Sequence, residues 1–132
     1  MSWQAYIDTS LVGSGNVDKG AIISVAGDSV WAASSDFQIS ADEMKALSAI
    51  LSGDSAAKDK AFAEGLYVAG TRYVITKADE EEGVYGRSGR VGVVAAKSTQ
   101  AIVVAHHPET VTAGPVTVTV TGLTKYLKDQ GY

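Results

Sequence analysis

The chain has 132 residues, no cysteine, two prolines and a formal net charge of −4. That length suits a single domain spanning 1–132, and 45% apolar with 20% charged residues is an ordinary globular balance. Lack of cysteine excludes disulfides, thiol nucleophiles and Cys-based metal centres, and the apolar runs fall far short of the ~20 residues of a membrane span.

Residues 1–70 carry four Lys/Arg against nine Asp/Glu, a net −5, whereas residues 71–132 carry seven against six, a net +1. Four of the later acids stand together at Asp79–Glu82, so the rest of that half is basic. An acidic total argues against nucleic acid as a partner, while a local basic face suits an acidic one. The opening residues lack the basic and apolar regions of a secretory leader, so a reducing, cytoplasmic setting is expected.

In chain order, Ser2 is placed to cap a helix whose apolar face is Trp3, Tyr6, Ile7 and Leu11, ending at Gly13–Gly15. Ala21–Val25 and Ser29–Ala33 read as strands joined by a hairpin at Ala26–Asp28. Ser40 with Glu43 three residues on is a capping box, followed by the stripe Met44, Leu47, Ile50, Leu51 and a stop near Gly53. From Leu66 the pattern turns to strand: Leu66–Val68, Arg72–Lys77, Val84–Gly86, Val91–Lys97 and Ala101–Ala105, an antiparallel meander. The expected fold is α+β, a central antiparallel sheet of six or seven strands covered by helices. Val116–Thr121 alternates as a strand would, yet Pro115 as a first helical residue with Val116, Val120, Leu123 and Leu127 on one face reads as a helix. Local propensity leans to strand.

No motif asks for catalysis, a metal or a cofactor. His106-His107 reads as a polar strand end before Pro108, since neighbours share no face. Gly13–Asp18 follows a helix rather than a strand and is no phosphate loop. The acidic run Asp79–Glu82 lacks EF-hand spacing and reads as a solvated turn. Trp3 and Tyr6 lie one helical turn apart, and Trp31, Tyr126 and Tyr132 complete an aromatic set. Pattern alone favours core positions for Trp3, Tyr6 and Trp31; the competing reading is an exposed groove for a polyproline II ligand. Arg72, Lys77, Arg87, Arg90 and Lys97 are either scattered charges or one basic face. Strict alternation sends Arg72 and Lys77 to opposite sides, so a single face requires a bulge near Lys77.

Ser2–Asp8, Gly27–Ala33, Leu66–Lys77, Tyr85–Arg87, Ala105–Glu109 and Tyr126-Leu127 with Tyr132 together resemble the profilin family, closest to its fungal type. The resemblance runs over the chain and is weakest across 53–64. It implies N- and C-terminal helices packed on one face of the sheet, a helical reading of the Val/Thr segment, no enzymatic activity, and three partners. Those are monomeric actin, whose polymerisation the family regulates through nucleotide exchange and delivery to barbed ends, proline-rich proteins such as formins, and phosphoinositide headgroups. For proline ligands the matching positions are Trp3, Tyr6, Trp31, Tyr126, Leu127 and Tyr132. For actin they are Arg72, Ile75, Lys77, Arg87, Arg90, Gly92, Val111, Gly114, Thr117, Val118 and Thr121. For the lipid headgroup they are Arg72, Lys77, Arg87 and Arg90, with Lys125 and Lys128 in addition. Val118 and Thr121 stand where relatives commonly place charged residues. The alternative is a small-ligand-binding or sensor domain with a roomy apolar pocket and no actin activity.

Overall fold

A computed structural model describes residues 3–79 and 83–132; Ser2 and the acidic residues 80–82 lie outside the described residues. The chain opens on an N-terminal helix with three geometries in succession. It is α-helical over Trp3–Ala5 (α1), π-helical over Tyr6–Leu11 and 3-10 over Val12–Ser14. Gly15, at φ 80°, ends it in the left-handed conformation. Strands β1 (Lys19–Ser24) and β2 (Val30–Ala33) form the expected hairpin. Helix α2 (Ala41–Leu51) begins on the capping box: Ser40 Oγ accepts from Glu43 N, and Glu43 accepts from Ser40 N.

Helix α3 (Ser55–Glu64) is an element the residue pattern left unassigned. Only Ala61 of it is buried, so it carries no apolar stripe to announce it. Its legible signals are Asp54, whose carboxylate accepts from Ala57 N at 3.1 Å, and Gly65 just past the end.

Five strands follow as an antiparallel meander: β3 (Leu66–Val68), β4 (Thr71–Asp79), β5 (Gly83–Ser88), β6 (Val91–Lys97) and β7 (Ala101–His107). The sheet order β2-β1-β7-β6-β5-β4-β3 places the first hairpin beside the last strand, so β7 becomes an interior strand. His106-His107 close the strand before Pro108 as expected, and both are buried, because β7 is paired on either side and covered on both faces.

Alternation along the strands divides the core into two layers. Ile23, Val68, Tyr73, Ile75, Val93 and Val104 pack beneath α2 and α3. Ile22, Val94, Ala96, Val103 and Ala105 pack beneath Ile7 and Leu11 of the N-terminal helix and the last helix, α4 (Ala113–Asp129). The terminal helices thus share one face of a seven-stranded antiparallel sheet.

The Val/Thr segment is helical because the tertiary context rewards a helix stripe. Val116, Val120 and Leu127 are fully buried and Leu123 nearly so. The threonines fold their hydroxyls back on the helix: Thr117 donates to Ala113 O at 2.8 Å, Thr119 to Pro115 O at 3.0 Å and Thr121 to Thr117 O at 2.8 Å. Burying an apolar side chain is worth roughly 1.5–3 kcal/mol, more than the few tenths separating threonine or valine from good helix formers.

Candidate functional site

The aromatic set is assembled from both ends of the described chain. Trp3 stands at its centre, with ring centroids 4.7 Å from Trp31, 5.1 Å from Tyr132 and 5.6 Å from Tyr6. Tyr6 in turn lies 6.1 Å from Tyr126. Trp3, Tyr6 and Trp31 are half-buried, and Tyr126 and Tyr132 are exposed. The set is therefore a surface of rings seated on the core, and the core-position reading of these residues is corrected. Desolvation raises the Tyr6 phenol above its ordinary pKa, and neighbouring Tyr126 and Tyr132 raise it further.

Each ring has a structural cause. Ile7 and Leu11, fully buried, anchor the N-terminal helix, and Trp3 and Tyr6 pack half-buried against the same core at its rim. Trp31 comes from edge strand β2. Tyr126 precedes the buried Leu127 on α4. Tyr132 is held through its main chain: its oxygen accepts from Gln100 N and from Ser98 Oγ, the latter at 2.8 Å, and its N–H donates to Leu127 O at 2.8 Å. Leu127 differs from the other five. Fully buried in the terminal-helix core, it supports the ring surface from below and offers no surface of its own.

The basic residues occupy the sheet's other half. Tyr73 and Ile75 point into the α2/α3 core, so Arg72 and Val74 face the opposite way, toward the side that carries α4. Strands β4 and β5 slip register between Ile75 and Lys77, leaving Thr76 as an extra residue. Beyond this bulge Ala78 packs toward the α2/α3 core, and Lys77, paired with Tyr85, returns to the face of Arg72. Arg87 is on the same face, in register with Val74. Arg87 and Arg90 line a recess of about 290 Å³ with Val111, Thr112 and Ala113 at the start of α4. Gly114, Thr117, Val118 and Thr121 continue from there along α4, and Val118 is 71% exposed.

Two expected surface positions are not on the surface. Ile75, 5% exposed, is a core residue on the opposite face, a consequence of strand alternation before the bulge. Gly92 is buried, and a Cβ there would lie 2.6 Å from His107 Nε2 and 2.7 Å from Gly86 O. Its role is packing: it leaves room for Tyr85 Oη, 3.1 Å from His107 Nε2. Because His107 Nδ1 faces the Pro108 carbonyl at 2.9 Å, Nδ1 carries the proton and Nε2 accepts from Tyr85. The neighbouring His106 is engaged by Asp18, Nδ1 to Oδ1 at 2.6 Å.

The six cations do not form one cluster. Arg72 donates from Nε to Glu64 O at 2.7 Å, which draws it around the sheet edge to the end of α3. Lys125 and Lys128 lie twelve and fifteen residues along α4 from Ala113; at about 1.5 Å per residue, that is roughly 18–22 Å from the Arg87–Arg90 recess. Val74, 52% exposed beside Arg87, is a surface residue that sequence reasoning missed; its place between Arg72 and Thr76 in the alternation was the available signal. Among the described residues no group of three His, Asp or Glu side chains is placed to hold a metal ion. No helix of the described residues is long and apolar enough to cross a membrane.

The chain is thus an α+β domain with both terminal helices on one sheet face, an aromatic surface between the chain ends and basic residues on the later strands. The profile of the Profilin family matches residues 1–132. The chain is 39% identical to the profilin of Schizosaccharomyces pombe over 132 residues, all of both chains, and 40% identical to that of Saccharomyces cerevisiae over 128 residues, 96% of each. Among solved structures, S. pombe profilin superposes with a TM-score of 0.90 at 38% identity, covering 99% of this chain and 100% of that one. Mouse profilin IIa, in complex with a double repeat from the FH1 domain of mDia1, shares the fold with a TM-score of 0.81 at 21% identity, covering all of both chains. The chain belongs to the profilin family, and with it to the actin-binding regulators of the cytoskeleton.

Proposed function

We propose that this protein holds actin monomers through its basic face while its aromatic surface holds a proline-rich segment of a second protein, so that monomers are exchanged, carried and delivered where such segments are displayed. The observation that carries the reading is the ring cluster around Trp3. Proline rings stack on flat aromatic faces, and the carbonyls of a polyproline II helix, free of internal hydrogen bonds, accept from indole N–H and phenol O–H groups. A likeness in fold to a profilin captured with a formin FH1 repeat supports a ligand of this class. The actin surface consists of Arg72, Lys77, Arg87, Arg90, Val111, Gly114, Thr117, Val118 and Thr121, with Val74 beside them.

Phosphoinositide headgroups draw on the same cations, Lys77, Arg87 and Arg90 foremost, so lipid and actin compete. Lys125 and Lys128 form a separate, weaker site, given their distance along α4. A cytoplasmic setting follows from these partners. The deciding experiment is titration of the protein with a proline decamer, followed by tryptophan fluorescence, beside a pyrene-actin assay of monomer sequestration. Binding of both, each without loss of the other, is the expected result. A silent fluorescence titration together with an unchanged critical concentration sinks the reading.

A further inference from the structure

On the sheet face opposite the terminal helices, α2, α3 and β3 enclose a cleft of about 600 Å³, the size of a small-molecule site. Ala46 and Ile50 of α2, Ala57 and Ala61 of α3 and Leu66 of β3 line it. Ile50, Ala61 and Leu66 are buried members of the core beneath these helices, so the cleft reaches apolar side chains of the interior. Its cause lies in α3. Phe62, the one aromatic of that helix, is 51% exposed, and the residues α3 packs on the core are Ala57 and Ala61. Side chains this small leave space between two helices that larger ones fill.

The rim carries charge. Lys45 of α2 and Lys60 of α3 stand on it, both exposed and neither ion-paired among the described residues. Two carboxylates also border the cleft, and each is compensated. Glu43 accepts from three main-chain N–H groups, those of Ser40, Ala69 and Gly70. Asp42 stands in the first turn of α2, where the positive end of the helix offsets a negative charge. The two ammonium groups are the rim charges left without a counter-charge among the described residues.

We propose that the α2/α3 cleft binds a single-chain amphipathic carboxylate, with its aliphatic chain laid on Ile50, Ala61 and Leu66 and its head at the rim beside Lys45 and Lys60. Burial of the chain supplies the affinity, and the lysines select an anionic head over a cationic one. Lysine suits this place, since its stem lies along apolar surface while its ammonium stays in water. The ring cluster sits on the other face of the sheet, so a ligand held there and a carboxylate in the cleft do not exclude one another.

The test titrates the isotope-labelled full chain with decanoate, butyrate and decyltrimethylammonium, below the concentrations at which they form micelles, and follows the NMR shifts. Decanoate is expected to move the amide resonances of Ala57, Ala61 and Leu66 and to leave the Trp3 and Trp31 indoles in place. It is expected to bind at least about tenfold more tightly than butyrate or decyltrimethylammonium. Ala57→Leu, which sets a larger side chain in the cleft, and the double variant Lys45→Glu/Lys60→Glu are each expected to weaken decanoate about tenfold, with folding checked by thermal melts. Should Ala57→Leu fail to fold, the charge-reversed variant, altered only at exposed positions, decides alone. Absence of saturable shifts at the cleft in wild type overturns the site, as do shifts confined to the indoles or wild-type affinity in either folded variant. Equal binding of decanoate and decyltrimethylammonium overturns the choice of an anionic ligand.

Discussion

Trp3 and Tyr132 meet edge to face, with ring centroids 5.1 Å apart and planes at 83°. They stand 129 positions apart in the sequence, and each is held by its own end of the fold. Trp3 rides on a helix anchored by Ile7 and Leu11, and Tyr132 is tied by main-chain bonds to the β6–β7 turn. A functional surface built this way depends on both terminal segments being docked on the sheet.

The ring surface and the core below it are separable by mutation. Trp3→Ala or Tyr126→Asp is expected to reduce proline-peptide affinity at least about thirtyfold, as loss of a central interface aromatic does, with little change in melting temperature. Leu127→Ala is expected to do the reverse: as a fully buried side chain its truncation costs about 2–5 kcal/mol of stability. Thermal melts beside fluorescence titrations check both; a Trp3→Ala protein that keeps its peptide affinity counts against the groove.

For the basic face, Arg87→Glu is expected to raise the free actin concentration in a sequestration assay several-fold while leaving peptide binding untouched, since it reverses a charge in the recess at the start of α4. Arg72→Glu also removes the bond to Glu64 O, so a small loss of stability accompanies its effect on actin. An unchanged critical concentration in both variants would move the actin surface elsewhere.

Glu43 ties α2 to the β3–β4 turn. Its carboxylate accepts from Ser40 N at 2.8 Å, Ala69 N at 3.1 Å and Gly70 N at 2.8 Å while itself nearly buried. Ala69, at φ 51°, occupies a conformation that few non-glycine residues adopt, and this anchor helps hold it there. Glu43→Ala is expected to destabilise the fold by about 1–3 kcal/mol, and Glu43→Gln by less, because an amide oxygen still accepts. Urea midpoints at constant slope report the difference.

Alkaline pH should weaken the fold through its tyrosines. Desolvation raises the phenols of Tyr6, Tyr73 and Tyr85 above the ordinary value of about 10. Above that pH the unfolded chain releases these protons more readily than the folded one, so stability falls as pH rises through the window between the two values. Absorbance titration near the phenolate band is expected to show a subset of tyrosines ionising late, and Tyr6→Phe to shrink that subset. A single transition at the ordinary value for all six tyrosines would refute the assignment.

Local chemistry was legible wherever cause and effect lie within a turn or two. The Ser40–Glu43 capping box, the β1–β2 hairpin and the meander follow from residue types at short spacing, and all stand in the structure. Helix α3 went unread because it buries almost nothing, and the π-helical turn at Tyr6–Leu11 leaves no periodic trace. Ile75 shows the limit of carrying positions over by resemblance: a one-residue bulge decides which face each β4 side chain takes, and Ile75 precedes it.

By itself the sequence determined the family, the capping box of α2, the apolar stripe of α4 and the charge asymmetry between its halves. The tertiary structure decided the rest. It chose helix over strand for Val116–Thr121, because four side chains of that stripe find a sheet to cover. The bulge at Thr76 returned Lys77 to the face of Arg72, while the edge contact with Glu64 drew Arg72 aside. Among six residues of one aromatic motif, five became surface and Leu127 became core. Exposure is a property of elements brought together from distant positions, and no local pattern carries it.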